Sequence, residues 1–96
     1  MYTLEAIIEK LKKHKPKLQK KYPVSRLGVF GSYARREATE KSDIDIAVEI
    51  NGTMGLSFVA MAEEIENLFG IKTDVIPLRS IKPHYLQYVE KDIVYV

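Results

Sequence analysis

An α/β domain is what this sequence predicts. Three observations carry that reading: helical periodicity at the start and middle of the chain, short apolar runs between those stretches that stop at Gly or Pro, and strict alternation from Asp43 to Ile50. The resulting order is helix, strand, short helix, strand, helix, strand, helix and a short last strand. All of it forms one domain over residues 1–96, without repeat, low-complexity tract or linker.

Leu4, Ile7, Ile8, Leu11 and Leu18 recur at helical spacing, with Thr3 placed to cap the helix. Pro16 lies inside that pattern and predicts a kink or a new, shorter helix, because it lacks the amide donor and crowds the turn before it. Pro23 marks the stop, and "RLGVF" at 26–30 reads as a strand. In the alternating segment Ile44, Ile46, Val48 and Ile50 share a face to bury, while Asp43, Asp45, Ala47 and Glu49 share a face to expose. "NGTMG" is a loop. Phe58, Met61, Ala62, Ile65, Leu68 and Phe69 give the next helix, with Gly70 where a left-handed cap belongs. "KTDVIP" is a third strand ended by Pro77. Ser80 and Pro83 open a last helix to about Glu90, and "DIVYV" closes the chain as a terminal strand.

An apolar fraction of 46% and a charged fraction of 29% suit a soluble globular domain. The absence of cysteine excludes disulfides and Cys-based zinc or redox sites, and His14 and His84 are too far apart in sequence to suggest a His-rich metal site. No apolar run is long enough to span a membrane and no signal-peptide core is present, so a cytoplasmic location is expected. The net charge is only +2, yet seven lysines crowd Lys10 to Lys21. They read as a solvated helix face. No aromatic residues interleave with them, and direct nucleic-acid binding is not expected.

The chemistry lies in residues 29–50, "VFGSYARREATEKSDIDIAVEI". Asp43 and Asp45 project side by side from one strand face, and their repulsion asks for a cation. Magnesium suits carboxylate oxygens and leaves positions for phosphates; a strand start with two solvated acids is the alternative. Gly31 lets an anion approach the backbone, and Ser32 suits a helix cap before "YARREA". Any strand-to-helix turn also needs a small residue and a cap. If the flanking strands run antiparallel, turn and acids face one cleft. Residues 43–76 suit a crossover to a parallel neighbour, which brings Asp74 to the same place as a third carboxylate.

"GSYARREATEKSDID", with ten residues between Ser32 and Asp43, resembles the signature of the minimal nucleotidyltransferases of the DNA polymerase β-like superfamily. The resemblance extends over essentially the whole chain, through "LGVFGSYAR", "SDIDIAVEI" and "KTDVIPL" to the final helix. Arg36 is a departure, since the family commonly has glycine after "AR". The resemblance implies a small mixed sheet flanked by helices and transfer of AMP from ATP to a hydroxyl. Asp43, Asp45 and Asp74 would hold magnesium, as two ions, with Asp74 orienting or deprotonating the acceptor; Gly31 and Ser32 would hold the outer phosphates. Arg35 would pair with phosphate or form a structural salt bridge. Such proteins often act as the antitoxin half of a two-gene module with a HEPN ribonuclease, which implies a hetero-oligomer and a toxin tyrosine as AMP acceptor. The rivals are a non-catalytic antitoxin that neutralises by binding alone and an enzyme with a small-molecule acceptor. Tyr33 and Tyr88 read as packing residues before interface residues.

Overall fold

The computed structural model covers residues 1–96. Helix α1 (Leu4–Lys21) starts as expected, with Thr3 Oγ1 accepting from the Ala6 amide at 3.1 Å. It runs through Pro16 as one helix, so no second helix starts there. Lys12 and Pro16 both face solvent, where water can satisfy the carbonyl that Pro16 leaves without a donor. Leu18, a half-turn further on, still reaches the core and is fully buried.

Strand β1 (Val24–Phe30) begins two residues before the apolar run suggested. The one-turn helix α2 (Gly31–Ala34) follows directly. It stops short of the helix expected over "YARREA", because Arg36 turns into the left-handed region at φ 60 and the Glu37 amide closes back on the Ser32 carbonyl at 2.8 Å. That conformation favours glycine, which gives the family's usual residue at this position a backbone reason. Ser32 sits inside the turn and does not cap it; the cap position belongs to Phe30, with no side-chain bond.

Strand β2 (Ile44–Ile50) pairs antiparallel with β1. Helix α3 (Ser57–Phe69) ends at Gly70 with φ 68, the expected left-handed cap. Strand β3 (Thr73–Pro77) then runs parallel to β2. A single 3₁₀ turn, Leu78–Ser80, leads to α4 (Pro83–Asp92), which has proline in its first turn, and β4 (Val94–Tyr95) pairs with β1. The sheet order is β3-β2-β1-β4, mixed as the resemblance implied.

The two faces of this sheet differ in how fully they are covered. Leu27, Val29, Ile44, Ile46 and Val48 are buried on one face, against Ile7, Leu11 and Leu18 of α1 and Met61 and Ile65 of α3. On the other face lies α4, none of whose residues is fully buried. Ala47, expected to be exposed, is completely buried here. Its cross-strand neighbour Gly28 is packed so closely by Ile93 that a Cβ would meet it at 2.8 Å, and alternation alone does not reveal that a later segment covers this face. Tyr33 packs into the core as expected, 4% exposed, whereas Tyr88 does not: it is 63% exposed, at the border of a hollow that Gly31 and Arg35 also line.

Candidate active site

Asp45 lies at the centre of the candidate site, and strand pairing fixes its neighbours. In the antiparallel register it stands opposite Phe30, the residue before Gly31; in the parallel register it stands opposite Asp74. Directly paired residues project to the same side of a sheet, so Phe30, Asp45 and Asp74 form one row across three strands. Asp43 is two residues upstream, just before β2 begins. The expected convergence of Asp43, Asp45 and Asp74 on one end of the sheet is therefore a consequence of register, on the face opposite the main core.

Gly31 closes this row. Its φ of 74 is left-handed, and a Cβ there would overlap the Asp45 carboxylate and lie 3.1 Å from its Cγ. A side chain at this position would occupy the space the acid now fills. A single helical turn carries little macrodipole, so what α2 offers an anion is its backbone amides.

Electrostatics record the crowding. Partial burial holds the Asp45 pKa above the ordinary aspartate value, and the charges of Asp74 and Asp43 push it further up; Arg35 pulls it down. Lys72 Nζ lies 3.5 Å from Asp43. Arg35 forms two structural ion pairs, to Glu37 and to Asp92 at the end of α4, each at 3.1 Å, and still acts on Asp45 from there. The salt-bridge alternative for Arg35 is thus the one this conformation adopts.

No three His, Asp or Glu side chains are arranged to hold an ion in this conformation. The donors nonetheless have the chemistry a hard divalent cation uses, carboxylate oxygens at strand ends, and a cation would relieve the part of the Asp45 shift that Asp74 and Asp43 add to that of burial.

Phe30, Lys72 and Asp92 were not anticipated. Alternation in "RLGVF" carries a signal for Phe30, since it opposes Leu27 and Val29 in facing and so shares the acid face. Asp92 meets Arg35 across 57 positions and has no local signature.

A left-handed glycine turn thus packs against a row of carboxylates on a mixed sheet. Comparison with known proteins gives it a class: residues 11–96 match the nucleotidyltransferase domain family, and the chain belongs to that family. Over its full length it is 44% identical to a Methanocaldococcus jannaschii protein provisionally named a protein adenylyltransferase, covering all of both chains. It is 39% identical to the protein adenylyltransferase MntA of Thermococcus cleftensis, covering 100% of this chain and 98% of that one. A solved structure, provisionally described as a minimal nucleotidyltransferase, superposes with TM-score 0.81 at 26% identity over 97% of this chain and 95% of its own. A toxin–antitoxin structure with AMP-PNP superposes at 0.73 with 25% identity, over 91% of this chain and 69% of its own. No helix is long and apolar enough to cross a membrane.

Proposed function

We propose that this chain is a protein adenylyltransferase serving, in the cytoplasm, as the antitoxin partner of a HEPN-type ribonuclease toxin. It moves AMP from ATP to a tyrosine hydroxyl of that toxin. The observation that carries this reading is the row across the sheet, with Asp45 in register with Asp74 on one side and against Gly31 on the other.

In this reading the outer phosphates of ATP lie against the amides of Gly31 and Ser32 and the Ser32 hydroxyl. Arg35, released from Asp92 or sharing it, offers a guanidinium to a phosphate oxygen. Asp74 accepts the proton of the attacking hydroxyl. The tyrosine oxygen bonds to the α-phosphorus, the bond from that phosphorus to the bridging oxygen breaks, and pyrophosphate leaves. Asp43, Asp45 and Asp74 would hold Mg²⁺, which supplies charge neutralisation at the entering and leaving oxygens when bound. The raised pKa of Asp45 fits a site built to work with a cation, because an apo cluster of acids disfavours its own full ionisation.

Intact-mass measurement of the toxin after incubation with this protein, ATP and Mg²⁺ tests the proposal. The toxin gains one or more AMP units with the wild-type protein and none with Asp45→Asn. A second reading, neutralisation by binding alone, draws on the ion pairs that engage Arg35 and Asp43 and on the absence of a preformed chelate. Under it, Asp43→Asn keeps rescuing growth from the toxin with no mass change. That result would replace catalysis with sequestration.

A further inference from the structure

Helix α4 ends on an acid. Asp92 is its last residue, at the negative end of the helix macrodipole, where a cation is favoured and a carboxylate opposed. The cation that compensates it is Arg35 of the α2 turn, whose Nη1 donates to Asp92 Oδ2 at 3.1 Å across 57 positions of sequence. No other side-chain hydrogen bond or ion pair joins α4 to the rest of the domain, and none of its residues is fully buried. The backbone past Asp92 is nevertheless held. The Ile93 amide donates to the Val89 carbonyl at 2.8 Å, Ile93 packs over Gly28, and Val94 pairs with Val29 of β1. Asp92 is thus fixed relative to the sheet, with its side chain only 24% exposed.

We propose that Asp92 is a positioning residue for nucleotide binding, holding the Arg35 guanidinium beside Gly31, where the reading above puts the outer phosphates of ATP. This rests on the transferase reading and adds a residue to its nucleotide half. Gly31, Arg35 and Asp92 line one hollow of about 210 Å³, and the Arg35 amide donates to the Gly31 carbonyl at 3.1 Å. A second carboxylate, Glu37, accepts from Arg35 Nε at 3.1 Å. Glu37 is 66% exposed and only two residues away, so it travels with the turn and does not fix the guanidinium against the sheet. The two carboxylates take two of the five guanidinium N–H groups. The other three have no partner in the protein and remain for phosphate oxygens, which such a planar fork suits. A free arginine gives up its rotamer freedom when it grips a phosphate, whereas one held by Asp92 has given up part of it on folding.

Calorimetric titration with AMP-PNP and Mg²⁺ tests this without depending on turnover. Asp92→Asn weakens the affinity about fivefold, and Asp92→Glu, which keeps the carboxylate, stays within about twofold of wild type. The urea midpoint holds in Asp92→Asn, because losing the ion pair is offset by removing an acid from the helix end. Loss of an acid beside a triphosphate strengthens binding on charge alone, so the direction of the change separates positioning from simple electrostatics. In an Arg35→Ala background Asp92→Asn has no further effect, since its action runs through the guanidinium. Unchanged or tighter AMP-PNP binding by Asp92→Asn overturns the proposal. So does an equal loss in the Arg35→Ala background, which would make Asp92 a support of α4 alone. Failure of the transferase reading is seen separately, as an unmodified partner with these affinity changes intact; failure of this proposal alone leaves the partner modified and the affinities unchanged.

Discussion

Replacing Gly31 by alanine tests the geometry of the site at its tightest point. An L-residue held at φ 74 costs about 1–2 kcal/mol relative to glycine. The new Cβ would also overlap the Asp45 carboxylate, which must swing away from its present position. Displacing it from its present rotamer adds about 0.5–1.5 kcal/mol. Alanine stiffens the unfolded chain and returns about 0.4–1 kcal/mol. The net loss is about 1.5 kcal/mol, a fall in Tm of roughly 6–12 °C for a domain of this size. Urea denaturation measures the loss, and calorimetric titration with AMP-PNP measures the accompanying loss of nucleotide affinity. Combining the substitution with Asp45→Ala removes the overlap and leaves the backbone cost alone, so the pair of substitutions costs less than the sum of the two. Stability within about 0.5 kcal/mol of wild type, together with unchanged AMP-PNP affinity, would refute the claim that Asp45 and the turn share one close-packed space.

The backbone argument reverses sign at Arg36. Arg36→Gly removes a left-handed arginine and loses an exposed ion pair to Glu5, so unfolding free energy rises by up to about 1 kcal/mol, read by urea midpoint. Pro16→Ala restores a donor to the Lys12 carbonyl in α1 and raises stability by about 1–3 kcal/mol in the same assay. Glu64 is held below the usual glutamate range, chiefly by its bond to Lys21 and also by His14, which ties α1 to α3. A lowered folded pKa means its contribution is present above the unfolded value and fades as pH falls through the folded one. Glu64→Gln accordingly loses up to about 1 kcal/mol at pH 7, a difference that shrinks below about pH 4. For Asp45, whose pKa is raised, the direction is opposite: its stability deficit is absent below the unfolded pKa and grows as pH rises through the folded one. Asp45→Asn is therefore more stable than wild type at pH 7 and indistinguishable from it below about pH 4, while AMP transfer is lost.

What the sequence revealed follows the range of the forces involved. Alternation from Asp43 to Ile50 assigns the acids to one strand face because side-chain direction has period two, and Gly70 marks a helix end because its reason is local. Asp74 was reachable through topology, since a helix of the length of α3 returns the chain to a parallel neighbour. Ser32 defeated its local signal: Gly31 already turns the chain in the left-handed region, leaving Phe30 as the extended residue before the helix. Ala47 and Tyr88 were misplaced together, because which side of α4 meets the sheet is decided by packing across the domain. Arg35 has no single destination in its neighbourhood; its partners Glu37 and Asp92 lie two and 57 residues away.

The division of the sheet explains how a chain this small tolerates such an acid row. The main hydrophobic cluster draws on α1, α3 and the strands they cover, and no member of it comes from α4. Folding can then be driven from one side while the other side retains Asp45 in a state that opposes its own ionisation. The weak packing of α4 leaves a cavity of about 400 Å³ beside Phe30 and Ile76, walled also by Ile81, Tyr85 and Val89. Filling it from within should tighten the packing of this helix. Ile81→Phe adds apolar contact to the wall and holds or raises the urea midpoint. A fall in the midpoint would show instead that the wall around Ile81 is already close-packed and that the loose hold on α4 has another cause.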